Sequence, residues 1–307
     1  MKVRHALLYG LTSALRQKRT VAALYLLSLL FALLLLAPLL PLVGGTLGRS
    51  LAGSGVESRL DLAVAADWLR THGGELAAFR GFATGAVVVY LLAATFLSGG
   101  VVHLLLSPRP ERWLAGFLHG CGLHFGRFLR LLLCHLPLLL LVAGANRSGD
   151  TVVRYWFEDT PHEVAATLAL WGKQGLAILA LTGIAAVFDY ARIGIALEER
   201  RSALRALAAA GRFALANPGA VLAIRLLAFG SAGTILILYV AASRWLLPGA
   251  AWISLLLLQQ GVILARSFLT VWRYAAELNL YRGRGLTEDA RLLSRLTSPA
   301  AVRSALS

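Results

Sequence analysis

The sequence predicts an all-α, polytopic membrane protein with six transmembrane helices. Three observations predict this class: the composition, six long apolar segments, and basic residues that are concentrated in alternate connections. Of the 307 residues, 58% are hydrophobic and 15% are charged, and the mean hydropathy is +0.71. A soluble protein of this composition would have too few polar residues to cover its surface. We therefore expect lipid to surround much of the chain.

The apolar segments approach or exceed the roughly 20 helical residues that cross about 30 Å of hydrocarbon. The third is the shortest, and Lys173 lies near one end of the fourth, where a long side chain can reach the interface. The predicted spans cover residues 21–43, 82–106, 128–145, 170–190, 219–247 and 250–274. We expect them to form a single membrane domain over residues 1–282, followed by a cytoplasmic tail over residues 283–307.

The basic residues lie mostly on one side of the predicted membrane. The net charge is +15, and 22 of the 30 basic residues but only 7 of the 15 acidic residues fall in four segments on that side. These segments are 1–20, 107–130, 189–225 and 266–307. Basic connections stay in the cytoplasm during insertion, so both termini should be cytoplasmic. The charge then indicates contact with anionic lipid head groups, and no nucleic-acid partner is expected.

The chain begins with a predicted interfacial helix over residues 1–19. Leu7, Leu8, Leu11 and Leu15 share an apolar face in this helix. Basic residues beside that face can meet lipid head groups, namely Lys2, Arg16, Lys18 and Arg19. A cleaved signal peptide is the alternative interpretation, but its apolar core should be about 7–15 residues long. The longer segment at 21–43 favours a first span that is retained.

The later connections carry signals of their own. Residues 113–128 predict an amphipathic connector before the third span. Residues 160–163 form a helix start signal, so the fourth helix should begin outside the bilayer and continue to about Leu197. Only residues 248–249 join the last two spans, which should therefore be antiparallel neighbours.

The same order of elements recurs three times: an inner amphipathic helix, an outward span and an inward span. Related short segments mark the inner ends of the inward spans, at 96–99, 188–191 and 272–275. The connectors also correspond, because each has a glycine 14 or 15 residues before an equivalent position in the next span. The glycines are Gly10, Gly120 and Gly211, and the equivalent positions hold Tyr25, His135 and Arg225. Repeats of this kind commonly place functional sites where the copies meet.

Asp189 is the main candidate for a functional polar group within the membrane. A carboxylate near the inner edge of a membrane is costly unless it is paired, so we expect Asp189 to contact Arg192, Arg225 or Arg273. A pair that locks two helical hairpins together is the favoured interpretation. An ion, proton or lipid-head-group site is the alternative.

Gln259 and Gln260 lie near the middle of the sixth predicted span, where water cannot satisfy an amide. At least one of them should bond a neighbouring helix or line a polar cavity. Gly230 and Gly233 are expected to permit close helix contact. His135, which the repeat places in a position equivalent to an arginine, completes the set of candidate polar residues.

Histidine and cysteine residues are concentrated in one stretch, but their spacing does not favour a metal site. Cys121 and His124 can share a helical face, whereas His119 and His124 are five residues apart and diverge. The stretch contains His103, His119, Cys121, His124, Cys134 and His135. No metal or other cofactor is therefore expected, and the two cysteines should stay reduced on the cytoplasmic side.

The sequence contains none of the common catalytic motifs that we sought. It lacks the phosphate-binding loop GxxxxGK[ST], the metalloprotease motif HExxH, the nucleophile elbow GxSxG and the redox motif CxxC. Ser98 precedes Gly99 and Gly100, but it is not set in the turn that an activated serine needs. We therefore expect a protein without enzymatic activity. A lipid-processing activity is the alternative, and it would have to use a set of residues that matches none of these motifs.

The stretch from Phe188 to Leu227 contains the segment DYAR, the basic helix ERRSALRAL and an Asn-Pro turn. From about Phe96 to Leu227, the chain resembles a group of uncharacterised bacterial six-span membrane proteins. Some of these are similar to the membrane domain attached to glycerophosphodiester phosphodiesterases. The resemblance implies a fold and a location, and it carries over no catalytic residue because the sequence does not contain the catalytic barrel of those enzymes. The preference for Arg over Lys also fits a GC-rich bacterial genome, so we expect the bacterial cytoplasmic (inner) membrane.

Two functions fit these patterns. The first is a scaffold, accessory subunit or lipid-interacting module whose inner helices lie on the cytoplasmic leaflet. The second is a transporter or permease subunit that works with a separate ATPase or another soluble partner. A water-accessible cavity that reaches Gln259, Gln260 or Arg225 would favour transport, whereas a bundle packed with side chains throughout would favour the scaffold. The expected partners are the lipid bilayer with its anionic head groups and a membrane or soluble protein.

Overall fold

A computed structural model describes residues 3–38, 40, 73–107, 112–157, 163–200, 202–246 and 252–284. These residues form eight α-helices and no strand. The helices are α1 (Val3–Arg16), α2 (Lys18–Leu36), α3 (Gly73–Leu106), α4 (Trp113–Phe157), α5 (Glu163–Glu198), α6 (Ala203–Ala216), α7 (Pro218–Leu246) and α8 (Trp252–Arg284). The predicted all-α class is confirmed for this part of the chain.

Five helices within the described ranges are long and apolar enough to cross a membrane. They contain the segments Lys18–Leu36, Phe79–Leu106, Trp113–Phe157, Val164–Glu198 and Pro218–Ala242. Several such helices indicate a multi-pass membrane protein. The sixth predicted span, 250–274, falls on α8, which is not among the five and which carries Gln259, Gln260 and Arg266 in its first half. The number of six spans and the threefold repeat stay predictions.

The predicted connector at 113–128 and the predicted span at 128–145 form one helix, α4, of 45 residues. In the other two copies of the proposed repeat, the amphipathic helix is separate from the span. There the breaks fall at Gln17 and at Asn217, which is followed by Pro218. Proline cannot continue a preceding helix because it lacks an N–H and clashes with the turn before it. Since α4 has no proline before Pro137, nothing comparable interrupts its first half.

Helix α5 ends at Glu198, one residue beyond the expected Leu197, so its predicted end is confirmed. Its chain direction then changes at Glu199, which has a φ of 50°, a left-handed conformation common just after a helix. Ser202 begins α6 by accepting a 3.4 Å hydrogen bond from the backbone nitrogen of Arg205. The start signal predicted at 160–163 and the turn predicted at 248–249 lie wholly or largely outside the described residues.

The structure divides into two compact units. One comprises Ala22–Ala94, in which the rings of Phe31 and Tyr90 make an edge-to-face contact with centroids 5.1 Å apart. The other comprises Met1–Val21 and Thr95–Ser307 and contains all the sites considered below. The single membrane domain over 1–282 stays a prediction.

Aromatic side chains join α5, α6 and α8 in the core of the larger unit. The ring of Phe213 lies 5.0 Å from the ring of Tyr190 and 5.0 Å from the ring of Tyr281, measured between centroids. The Tyr281 hydroxyl donates a 2.8 Å hydrogen bond to Glu198, and burial, together with this bond, raises the pKa of Tyr281. Helix α6 faces this core, while Leu215 on its other side is 82% exposed, as an amphipathic surface helix requires.

Helix α1 packs against α8 through small residues. Ala6, Gly10 and Ala14 are buried, and a Cβ atom at Gly10 would lie 2.8 Å from the backbone nitrogen of Ala276. The indole nitrogen of Trp272 also donates a 3.1 Å hydrogen bond to the carbonyl oxygen of Leu7. The predicted leucine face is therefore largely separate from the packed face. Three of its members remain exposed, namely Leu8, Leu11 and Leu15.

Candidate functional site

Asp189 lies at the centre of a buried cluster of charged side chains. One carboxylate oxygen accepts a 2.9 Å hydrogen bond from Arg192 on the same helix. The other oxygen pairs with Arg225 of α7 and, at 3.3 Å, with Arg273 of α8. Asp189 is only 4% exposed. The predicted pairing is therefore present with all three candidate arginines, and it ties α5, α7 and α8 together.

Neutral groups add further hydrogen bonds around Asp189. The Tyr274 hydroxyl accepts a 3.0 Å hydrogen bond from Arg192 and donates to Asp189 over 3.3 Å. Arg225 also donates a 2.8 Å hydrogen bond to the carbonyl oxygen of Ala185. Such bonds are required because burying a charge is unfavourable unless it is both paired and hydrogen-bonded.

Glu277 is a second carboxylate in this cluster, and the sequence analysis did not identify it. It is fully buried, and its Oε1 atom lies 3.0 Å from Nε of Arg225. The N–H group of Arg225 does not point at this oxygen well enough to form a hydrogen bond. Neither carboxylate oxygen of Glu277 accepts a hydrogen bond from the described residues. The sixth span was predicted to end at Tyr274, so Glu277 was counted only among the charges of the cytoplasmic-side segment 266–307. Its spacing of four residues from Arg273 places the two on one helical face and was the available signal.

We call Asp189, Arg192, Arg225, Arg273 and Glu277 the ion network. It contains three guanidinium groups and two carboxylates, so its formal charge is +1. His135 lies beside it, since the imidazole stacks on the ring of Phe188 with centroids 4.3 Å apart. The Nε2 atom of His135 is buried and has no hydrogen-bond partner among the described residues.

A groove opens from the ion network between α5, α7 and α8. Its volume is about 570 Å³, and its lining includes Arg225, Arg266 and Arg273. No described acidic residue lines it. Apolar side chains and the threonines Thr182 and Thr270 form most of the remaining wall. We call this feature the arginine groove. The groove reaches Arg225. A cavity at this residue was one of the features expected to favour transport.

Gln259 and Gln260 do not join these features. Gln259 is exposed and forms no hydrogen bond with the described residues, while Gln260 is half-buried. Neither lines the arginine groove. The expected close helix contacts at Gly230 and Gly233 are wrong, because a Cβ atom at either position would have no neighbouring helix or side chain of the described residues within 4 Å.

A second cavity, of about 1230 Å³, lies where α1 meets α2 and includes the ends of α3 and α8 and the start of α4. Its basic lining residues are Arg16, Lys18, Arg19 and Arg282, and we call it the basic cleft. No described acidic residue lines it, and none of its four cations forms an ion pair with a described carboxylate.

A chain of side-chain hydrogen bonds holds the wall of the basic cleft. The Trp113 indole donates to the Thr20 hydroxyl over 3.3 Å, and the Thr20 hydroxyl donates to Gln17 over 3.1 Å. The Gln17 amide then donates to the carbonyl oxygen of Leu104 over 3.2 Å. These bonds join the α1–α2 junction to α3 and α4. The cleft is therefore built on a connected framework rather than on independent surface side chains.

The histidine and cysteine residues gather where α3 packs on α4. The ring of His103 lies 5.7 Å from that of His119 and 6.1 Å from that of His124. Gly100 permits this approach, since a Cβ atom there would lie 2.6 Å from the sulfur of Cys121. Among the residues that the structure describes, no three His, Cys, Asp or Glu side chains are arranged to hold a metal ion.

Comparison of the chain with protein-family models, with curated proteins and with solved structures found no match.

Proposed function

We propose that the protein is a non-enzymatic, lipid-interacting module of the bacterial inner membrane and that its basic cleft binds anionic phospholipid. The observation that carries this proposal is the group of four cations in the cleft without an acidic partner among the described residues. A cleft with this charge attracts phosphate groups, and Arg side chains can bind a phosphate through two hydrogen bonds at once.

The position of the cleft favours lipid over a soluble anion. Lys18 and Arg19 are the first residues of a helix that is apolar enough to cross a membrane, so they belong near a membrane surface. Trp113 also lines the cleft, and tryptophan is enriched at that depth. The exposed leucines of α1 supply an adjacent apolar face that suits the same surface. With both termini in the cytoplasm, this surface is the inner leaflet.

The purified full-length chain in nanodiscs tests this proposal. The protein is then extracted from the discs into detergent. We expect protein from discs that contain phosphatidylglycerol to keep this lipid bound, whereas phosphatidylcholine is retained far less. The double variant Arg16→Gln with Arg19→Gln should reduce the affinity for phosphatidylglycerol by about thirtyfold, since each basic residue contributes about 1 kcal/mol near an anionic surface. Native mass spectrometry measures the retained lipid.

The matched control is the double variant Arg205→Gln with Arg212→Gln. It removes the same charge from exposed positions on α6, outside the cleft. If this control lost as much lipid as the cleft variant, general charge rather than the cleft would control binding and the proposal would fail.

Transport is the second candidate function, and the arginine groove favours it because the groove reaches Arg225. A transporter subunit would work with a separate ATPase or another soluble partner. Affinity purification in mild detergent, followed by identification of an ATPase that copurifies in stoichiometric amount, distinguishes it from the lipid-interacting module.

A further inference from the structure

The arginine groove contains a cation that the structure leaves without a counter-ion. Arg266 lines the groove, is exposed, and forms no ion pair with a described residue. Arg225 and Arg273 line the same groove, but their charges face the carboxylates of Asp189 and Glu277. Adding Arg266 to the ion network raises the formal charge of the combined group from +1 to +2. The groove therefore favours a bound anion.

The groove extends along the helices rather than ending at the ion network. Arg266 precedes Arg273 by seven residues on α8, which corresponds to about 10 Å along the helix axis. On α7, Ala232 follows Arg225 by the same number of residues. The site thus continues for two helical turns away from the network, between helices α5 and α7 that contain membrane-crossing segments.

The rim of the groove is apolar and exposed. Phe229 is 62% exposed, Ile178 is 45% exposed and Leu181 is 37% exposed, and all three line the groove. Exposed apolar side chains at a membrane-crossing segment face acyl chains rather than water. An occupant of the groove must therefore combine an anionic group for the arginines with hydrocarbon for the rim. The volume of about 570 Å³ lies in the range of small-molecule sites.

We propose that the arginine groove binds one phospholipid, whose phosphate contacts Arg266 and whose acyl chain lies against the apolar rim. This site is separate from the basic cleft, with which it shares no lining residue. The lipid phosphate supplies the counter-ion that no described residue provides for Arg266. The neighbouring guanidinium groups of Arg225 and Arg273 add attraction, while the ion network holds them in place.

Native mass spectrometry of the full-length protein in detergent tests the site, with phosphatidylglycerol as the probe. The measurement uses the Arg16→Gln, Arg19→Gln background, in which binding at the basic cleft is weakened. We expect Arg266→Gln to weaken binding of the remaining lipid by about tenfold, whereas Arg266→Lys, which keeps the charge, should weaken it by no more than about threefold. Arg130→Gln is the control, because Arg130 is also exposed on a membrane-crossing segment but does not line the groove.

A second variant leaves the charge unchanged. Ala232→Phe fills the groove from α7 and should also remove the bound lipid if the groove is the site. Thermal unfolding in detergent reports whether each variant is folded. If Arg266→Gln and Ala232→Phe are both folded and both bind phosphatidylglycerol like the parent protein, the proposal is overturned.

Two competitors identify the bound group. Diacylglycerol has the acyl chains without the phosphate, and it should bind much more weakly than phosphatidylglycerol. Inorganic phosphate has the anion without the chains, and it should not displace the lipid at equal concentration. Equal binding of diacylglycerol would show an apolar site that ignores Arg266, and equal binding of inorganic phosphate would show a simple anion site. Either result would contradict a phospholipid site.

Discussion

The ion network and the basic cleft both gather arginine side chains in the same compact unit, but among the described residues the network contains two carboxylates and the cleft lining contains none. In the network, Asp189 contacts three guanidinium groups, and Glu277 lies 3.0 Å from one of them. In the cleft, four cations have no described acidic partner. The comparison shows that the largely buried cations of the network face carboxylates, whereas the exposed cations of the cleft form no ion pair with a described carboxylate.

The two regions should therefore contribute differently to stability and to binding. Removing one partner of a buried ion pair costs about 3–5 kcal/mol, because the remaining charge has neither water nor a counter-ion. Removing an exposed cation typically changes stability by no more than about 0.5 kcal/mol. The network thus holds α5, α7 and α8 together, whereas the cleft contributes little to folding.

The largest effect is expected for Asp189→Asn. The amide cannot balance three guanidinium groups, so the free energy of unfolding should fall by about 3–5 kcal/mol. Asp150→Asn is the control, because Asp150 pairs with Lys173 at 2.5 Å but its side chain is 44% exposed, and exposed pairs contribute about 0–1 kcal/mol. Denaturant unfolding in detergent measures both. Equal losses would show that burial of the network has no special importance.

The sequence predicted the centre of the network but not its full membership. Asp189 was identifiable because it is a carboxylate in a long apolar segment. Arg192 follows it by three residues, and the proposed repeat directed attention to Arg225 and Arg273. Glu277 was missed because the last span was taken to end at Tyr274, whereas α8 continues to Arg284. The basic residues of α1 and α2 were expected to meet lipid. Their convergence with Arg282 depends on tertiary packing, which no local pattern shows.

Helix α1 shows the same limit of sequence reasoning. Its leucines dominate any hydrophobic pattern, and three of them, Leu8, Leu11 and Leu15, are exposed, while their contact with the membrane stays a prediction. The contact with α8 is made instead by Gly10 and two alanines, which carry almost no hydrophobic signal. Two helix backbones can approach closely at a glycine because it has no side chain. The sequence alone does not show which glycine faces a neighbouring helix.

An intermediate effect is expected for Gly10→Ala, which tests whether the cleft depends on the packing of α1. The added methyl group would lie within 3.0 Å of three Ala276 atoms, so it should separate α1 from α8 and destabilise the protein by about 1–3 kcal/mol. Because Arg16 is on α1 and Arg282 on α8, phosphatidylglycerol retention should fall as well. Unfolding and lipid retention are measured on the same sample.

Gly211→Ala is the matched control for this change. The repeat aligns Gly211 of α6 with Gly10, but a Cβ atom there would meet no neighbouring helix or side chain of the described residues within 4 Å. Alanine is a better helix former than glycine, so this variant should be stabilised by up to about 1 kcal/mol. Destabilisation of the same size in both variants would contradict the close contact of α1 with α8.

The smallest effect on stability is expected from salt. Added salt screens exposed charges much more than buried ones, so raising sodium chloride from about 0.05 M to about 0.5 M should weaken phosphatidylglycerol binding at the cleft several-fold. The unfolding midpoint, which depends on the buried network, should change little over the same range. A midpoint that fell in parallel with lipid binding would mean that the network is open to solvent and would remove the distinction between the two regions.

The uninterrupted course of α4 has a geometric consequence. A helix of 45 residues is about 68 Å long, and a crossing tilted by about 40° uses only about 39 Å of it. If α4 crosses the bilayer, at least about 29 Å of this rod must protrude into the head groups or beyond. The exposed end of α4 at Tyr155 and Trp156, which are 77% and 72% exposed, offers an attachment point for an antibody fragment, which could serve as an alignment marker in electron cryomicroscopy.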